Sequence, residues 1–377
     1  MTFAARVLQD NSQSIGQLLV SYYRPDDVLI GNGVIPYLMF ENGFGSNLPP
    51  IKLTGNVKDI SVHPTGDNVA IAQDSTNAFN FNYCVVAYKY SDAGFGTKFS
   101  NIPSYPIYAS GSNPSSRGSG VTFTPNGLGI VFVALQATDW TPPLGLGYGP
   151  LAGGYDWSTT SGFSSVRIAY HTQPTTGRKI RVSPSQQAYA IAGNTAVVWK
   201  FGSSGYFTSR YTNPVSLFAN SRDVAFNPAG TVLCFVGSVS PYIQAYAWSD
   251  STGFGAQYSN PISLPPAQVN AIDFSPAGDA VAIAHNSSPY ISVYEWDDVT
   301  GFGAKYADPT VLPAGNGLSV KFAPSGKYIA IGHNGSPYVS AYQWDAVTGF
   351  GAKFRDPSVL PSTGTTVGVE AIAWRGA

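Results

Sequence analysis

Three near-identical segments recur toward the C-terminal end of this chain. Trp248 to Phe254 reads WSDSTGF, Trp296 to Phe302 reads WDDVTGF and Trp344 to Phe350 reads WDAVTGF, with the tryptophans 48 residues apart. A period of that size marks a repeat architecture: one unit cannot bury its own apolar face and must stack on the next. A fold with one central core and unrelated elements is thereby excluded for most of the chain.

One whole unit is read most easily from Val269 to Pro313. In NAIDFSPAG, Ile272 and Phe274 alternate with polar or small residues, as in a strand. Pro276, Ala277 and Gly278 then make a tight turn. AVAIAH is a second strand and ISVYEW a third, rich in β-branched and aromatic residues. DDVTGFG turns the chain, and AKYADPTVLP supplies a short, Pro-bounded edge strand.

The first strand can be found seven times, by its paired apolar slots Ile60/Val62, Val121/Phe123, Ile180/Val182, Val224/Phe226, Ile272/Phe274, Val320/Phe322 and Ile372/Trp374. The turn after the third strand also recurs seven times, at Phe44, Phe95, Phe163, Tyr206, Phe254, Phe302 and Phe350. The last first strand, VEAIAW, reaches the end of the sequence without its partners, whereas VLIGNGVIPYLMFENGFG (28–45) supplies the missing pieces near the start. The expected fold is therefore all-β: a seven-bladed β-propeller of four-stranded antiparallel blades, closed by a blade mixing N- and C-terminal strands. Such closure protects the exposed ends of the sheet stack. Residues 1–26 are expected to be an N-terminal arm or edge strand and 27–377 the propeller. QLLVSYY (17–23) is the competing choice for an extra edge or the inner strand of the first blade.

Charged residues make up 11% of the chain and the net charge is −1, with no run of Lys or Arg. An electrostatic grip on nucleic acid is not indicated. No apolar stretch is long enough to span a membrane, and the N-terminal segment lacks a leader pattern, so a soluble protein made in a cytoplasm is expected. Cys84 and Cys234 read as small apolar fillers in strands.

Where a repeat is interrupted, the insertion decorates one face and points to function. Three insertions stand out: 74–84, 98–120 and 136–154. In up-and-down blades, second-to-third loops and blade-to-blade links emerge at the same end of the ring. The insertions should then gather over two adjacent blades, presenting Phe79, Phe81, Tyr83, Tyr105, Tyr108, Trp140, Leu144, Leu146, Tyr148 and Leu151. An aromatic, nearly uncharged patch suits a protein interface or a sugar-stacking surface.

Catalytic and metal signatures are scarce. His285 and His333 fill one strand-end slot a period apart, matched by Asn32, Gln73 and Gly193, and read as polar strand caps. Asp297, Asp345, Asp308 and Asp356 read as turn residues. Asp59 and Asp223 share one inner-strand slot, and Asp273, Lys321 and Arg181 another, so both sets could line the central channel. Mixed charge in the second slot argues against a calcium ring. No nucleophile elbow, zinc pattern or nucleotide fingerprint is present, so neither a cofactor nor catalysis is expected.

The FSPAG, FAPSG and FNPAG turns and the YEWDD and YQWDA strand ends resemble the WD-repeat class of β-propellers, over residues 28 to 377. Most of the Gly-His dipeptides and buried Asp positions of that class are missing. The GFGAKYADPTVLP spacers with SPYIS and SPYVS look like repeat proteins of tailed bacteriophages. That resemblance implies a non-enzymatic virion component, in the tail or nozzle, present in multiple copies and docking other virion proteins through the insertion face. Three rivals stand beside it. A carbohydrate-binding propeller would stack host glycans on Trp140, Tyr148, Tyr105 and Tyr108. A channel-site hydrolase of lactonase type would hold a metal through Asp59, Asp223 or Asp273. A cellular WD-type scaffold is the third.

Overall fold

The computed structural model describes residues 16–22, 32–40, 43–47, 49–53, 55–75, 84–102, 116–136, 151–172, 177–201, 207–358, 360–361 and 368–375. Among them every regular element is a strand, and none is a helix long and apolar enough to cross a membrane. The chain is a β-propeller of four-stranded antiparallel units.

The units are clearest where the sequence repeat is cleanest. Val269–Phe274, Ala280–His285, Ile291–Asp297 and Gly301–Lys305 form one sheet in chain order, inner to outer. The same order holds from Gly317–Phe322 to Gly349–Lys353, from Ser221–Phe226 to Gly253–Gln257, and from Gly177–Val182 to Phe207–Arg210. The strands make six hydrogen-bonded sheets rather than seven. One sheet has eight strands because two four-stranded units, which begin at Gly55–Val62 and Ser116–Phe123, are linked by the single pair Asp74↔Arg117.

The closing sheet runs Ile372–Arg375, Gly16–Tyr22, Asn32–Phe40, Gly43–Asn47. The mixing of the two chain ends is as expected, with the C-terminal strand innermost. The second strand differs: it is Gly16–Tyr22, which lies inside the sheet rather than in an arm, and 28–31 fall outside the described residues. The physical reason is alternation. Leu18 packs with Val339, Ala341 and Trp374 on one side, while Leu19 packs with Val57, Ile60 and Val69 on the other. A second strand must be apolar on both faces, and QLLVS satisfies this. Each inner strand touches the next, and Ile372–Arg375 touches both Gly317–Phe322 and Gly55–Val62, so the ring is closed.

Packing between units follows a large-against-small rule. In Ala280–His285 every residue is buried, with Val281 and Ile283 facing Cys234, Val236 and Ala245 of the preceding unit. Ala280, Ala282 and Ala284 face Val320, Ile329, Ile331 and Trp344 of the following one. Alternating small and large residues lets two twisted sheets interdigitate at native density. Cys84 and Cys234 are buried free thiols within these clusters, and burial pushes the Cys234 thiol up.

The repeated tryptophan closes each unit at its outer edge. Trp296 lies edge-on to Tyr258, Phe302 and Phe274 at ring separations of 5.1, 4.9 and 5.6 Å. Its indole N–H donates to Asp298 Oδ1 at 2.8 Å. The turn before Phe302 needs Gly301, with φ of 83°, because a Cβ there would stand 2.9 Å from the Tyr258 ring. Trp248 and Trp344 sit in equivalent aromatic cages.

Candidate active site in the central channel

The inner strands share an irregularity. Opposite each second strand, one inner-strand residue is skipped by the ladder: Lys58, Ser119, Arg178, Arg222, Asn270 and Leu318. Each is the extra residue of a β-bulge at the same place in its unit. Glu370 stands at the corresponding position ahead of Ile372, two residues before the first apolar slot. These residues form a ring at one end of the channel. Lys58 Nζ meets Glu370 Oε2 at 2.5 Å between neighbouring units.

One step deeper, carboxylates stitch the units together. Asp59 Oδ2 accepts the Val121 N–H at 3.1 Å, and Asp223 Oδ2 that of Ile272 at 3.4 Å. Asp273 Oδ2 accepts the Phe322 N–H at 2.9 Å, and Ser61 Oγ accepts that of Phe123 at 3.1 Å. Each side chain thus takes a backbone donor that the neighbouring inner strand would otherwise leave unpaired.

The remaining lone pairs of these carboxylates meet cations. Arg181 Nη1 lies 2.9 Å from Asp59 Oδ2 and Arg181 Nη2 3.5 Å from Asp223 Oδ1. Lys179 Nζ lies 3.1 Å from Asp59 Oδ1 and also donates to the Lys58 carbonyl. Lys179 and Arg181 thereby reach past the intervening unit, where Gly120 makes room. A Cβ at Gly120 would stand 2.9 Å from Ile180 N and from Lys179 Cα. On the other side of the channel Lys321 Nζ meets Asp273 Oδ1 at 2.5 Å.

The electrostatics separate these groups. Burial would raise the Asp59 carboxyl, but Arg181, Lys179 and the Val121 N–H outweigh it and hold the pKa below the ordinary range. Burial would weaken the Arg181 cation, yet Asp59, Asp223 and Asp273 hold its pKa above the usual value. At Asp273 burial dominates, and the pKa is raised despite Lys321. Asp273 and Lys321 are also the more open pair, with side chains 18% and 29% exposed against 7% for Asp59. A desolvated carboxylate above its ordinary pKa, beside an ammonium, is equipped for proton transfer and for holding a developing negative charge.

Asp59, Asp223 and Asp273 are the residues that would hold a metal in a channel-site hydrolase. Their oxygens are committed to backbone N–H groups, Arg181, Lys179 and Lys321, so the donor set does not suit a divalent cation. Among the described residues no group of three or more His, Cys, Asp or Glu side chains is gathered. His285 and His333 are buried strand-end residues whose Nε2 atoms meet Ser292 Oγ and Ser340 Oγ, each at 3.0 Å. His63 Nε2 instead donates to the Gly127 carbonyl at 2.9 Å in the neighbouring unit. Asp297 and Asp345 receive the N–H groups of their own turns, as their positions suggested.

Of the aromatic residues expected to form a binding patch, Phe79, Phe81, Tyr83, Tyr105, Tyr108, Trp140, Leu144, Leu146 and Tyr148 lie outside the described residues. Leu151 opens the strand Leu151–Ser158, paired with Ala134 and Thr172. The strand ends Ser75, Ser116 and Gln136, from which the insertions depart, lie at the same end of the ring as the bulge residues. Sequence reading placed Asp59, Asp223, Asp273, Lys321 and Arg181 in the channel but missed Lys58, Arg178, Lys179, Arg222 and Glu370. Aligning the inner strands on their apolar slots would have found them, since each of these residues except Lys179 stands two positions before the first slot.

No protein-family model matches the chain, and no curated protein does. Solved structures do. A protein from Bacteroides uniformis, named as a 6-phosphogluconolactonase candidate, superposes with a TM-score of 0.65 at 13% identity, covering 96% of this chain and 100% of that one. The periplasmic gluconolactonase of Pseudomonas aeruginosa superposes with a TM-score of 0.66 at 12% identity, covering 95% and 98%. A Lactobacillus plantarum protein gives 0.65 at 12%, covering 96% and 99%. At these identities the likeness establishes the fold. The expectation of a non-enzymatic tailed-phage virion component is corrected: the Bacteroides and Pseudomonas neighbours carry lactonase names, and none of these three neighbours carries a phage or WD-repeat name.

Proposed function

We propose that this protein is a hydrolase acting in the central channel on the ring ester of a sugar-acid lactone. The observation that carries the reading is the Asp273–Lys321 pair, open to the channel, with a carboxyl pKa raised by burial beside the Asp59–Arg181–Asp223 network. The names of the structural neighbours support the same reaction class.

In this reading Asp273 takes a proton from water as the water oxygen attacks the lactone carbonyl carbon. Lys321 and Arg181 face the oxygen on which negative charge develops. Collapse of the tetrahedral intermediate breaks the ring C–O bond, and the departing oxygen takes the proton back from Asp273 to become a hydroxyl group. The product is the open-chain hydroxy acid. The tighter network around Asp59 holds Arg181 in place.

The test is a pH-indicator assay with the purified protein and glucono-δ-lactone, measured against spontaneous opening. The expected outcome is saturable acceleration, with Asp273→Asn lowering kcat about 10²- to 10⁴-fold, the usual contribution of a general base. A folded protein that leaves a panel of five- and six-membered lactones at their spontaneous rates would sink the reading.

A further inference from the structure

The bulge ring is not used by the proposed hydrolysis, and its charges do not balance. Lys58 is paired with Glu370 at 2.5 Å, which occupies the ring's carboxylate. Arg178 and Arg222 hold equivalent bulge positions on neighbouring inner strands, and among the described residues neither has an ion-pair partner. At the described bulge positions three cations stand against one carboxylate, a surplus of two positive charges. Arg178 Nε is buried with no hydrogen-bond partner. A buried guanidinium N–H left unpaired is costly, and such a group is an observation that asks for an acceptor.

Arg222 is held rather than loose. Its Nη2 donates to Gln268 Oε1 at 3.1 Å, Gln268 donates to Asn270 at 2.9 Å, and Asn270 is anchored on Asn286 and the Gly317 carbonyl. Burial and the Arg178 cation on the adjacent inner strand both push the Arg222 pKa down, and Glu370 pulls it up from across the ring. Two guanidinium groups at equivalent bulge positions on adjacent inner strands, one held by Gln268 and the other with an unspent Nε–H, match the several acceptor oxygens of a tetrahedral oxyanion.

We infer that Arg178 and Arg222 form a binding site for a dianionic oxyanion of the phosphate-monoester type. The chemistry is shared by free inorganic phosphate and by a phosphoryl group carried on a channel ligand. The second source rests on the hydrolase reading and the first does not.

Two measurements separate these cases. Thermal unfolding and titration calorimetry of the whole protein with millimolar inorganic phosphate, against chloride at matched ionic strength, read the site alone. Phosphate is expected to raise Tm in the unaltered protein. Arg178→Gln or Arg222→Gln should weaken phosphate binding about tenfold or more, with Arg178→Lys intermediate because a lysine keeps the charge but loses the fork. Equal binding by the unaltered protein and both Gln variants, or no binding at all, overturns the site. In the second arm, glucono-δ-lactone is compared with its 6-phosphate. A fall in kcat/KM confined to the phosphorylated lactone in Arg178→Gln assigns the phosphoryl group to the ring. Phosphate binding without any lactone hydrolysis keeps the site and removes the hydrolase. Hydrolysis of both lactones, unaltered in Arg178→Gln, removes the phosphoryl assignment.

Discussion

The outer and inner edges of the same blades obey different rules. At the outer edge, three successive units repeat closely: Trp248, Trp296 and Trp344 each sit edge-on between a tyrosine and a phenylalanine. At the inner edge the backbone repeats, bulge included, but the side chains do not. The same bulge position holds Lys58, Ser119, Arg178, Arg222, Asn270 and Leu318. In these three units the outer packing residues are kept identical, while the inner-strand residues, which the ring uses as a whole, diverge. Departure from the repeat on the inner strands is therefore the marker of a candidate site.

That contrast can be broken experimentally, and the largest effect belongs to the outer edge. Trp296→Ala should cost about 3–5 kcal/mol, as for a fully packed aromatic, in urea unfolding followed by fluorescence. A loss below about 1 kcal/mol would mean that the aromatic cage contributes little to the stacking. At the inner edge, Arg181→Met should cost about 3 kcal/mol, because Asp59 and Asp223 would be left buried without their shared cation. A double variant that also replaces Asp59 with Asn should recover part of that loss, and failure to recover would show that the ion network is not the origin of the cost.

Acid sharpens the comparison in the repeated region. Burial lowers the pKa of His285 and of His333 from 6.5 to about 4. Each imidazole is therefore harder to protonate folded than unfolded. The unfolded chain binds more protons below its own pKa, so stability present above about pH 6.5 is lost progressively as pH falls toward 4. Each histidine contributes on the order of 3 kcal/mol to that loss. Replacing both with Gln, the residue that the equivalent slot holds at Gln73, should flatten the stability profile between pH 6.5 and 4. An unchanged profile would place the acid sensitivity elsewhere. The smallest effect is expected at Val299, 86% exposed in a turn of the outer hairpin, where Val299→Ser should change stability by less than about 0.5 kcal/mol.

How much was legible follows the same division. The strands of the repeat, their turns and the joining of the chain ends were readable because each depends on alternation and turn chemistry within a few residues. The strand Gly16–Tyr22 was misjudged because its apolar pair, Leu18 and Leu19, serves two neighbouring units that are far away in sequence. In the channel, Asp59, Asp223, Asp273, Lys321 and Arg181 were placed in common slots, while Lys58, Arg178, Arg222 and Glu370 were missed. A bulge inserts one residue without a partner, so period-two reading loses the residue it adds.

By itself the sequence determined that this protein is a ring of stacked four-stranded sheets, since periodic burial is written locally and repeated. Which charges meet was decided only by the closed ring. Arg181 reaches Asp59 past a whole intervening unit, 122 positions away in the chain, and Lys58 meets Glu370 across 312. Coulomb attraction depends on distance in space, and no local pattern records which inner strands a closing ring will bring together.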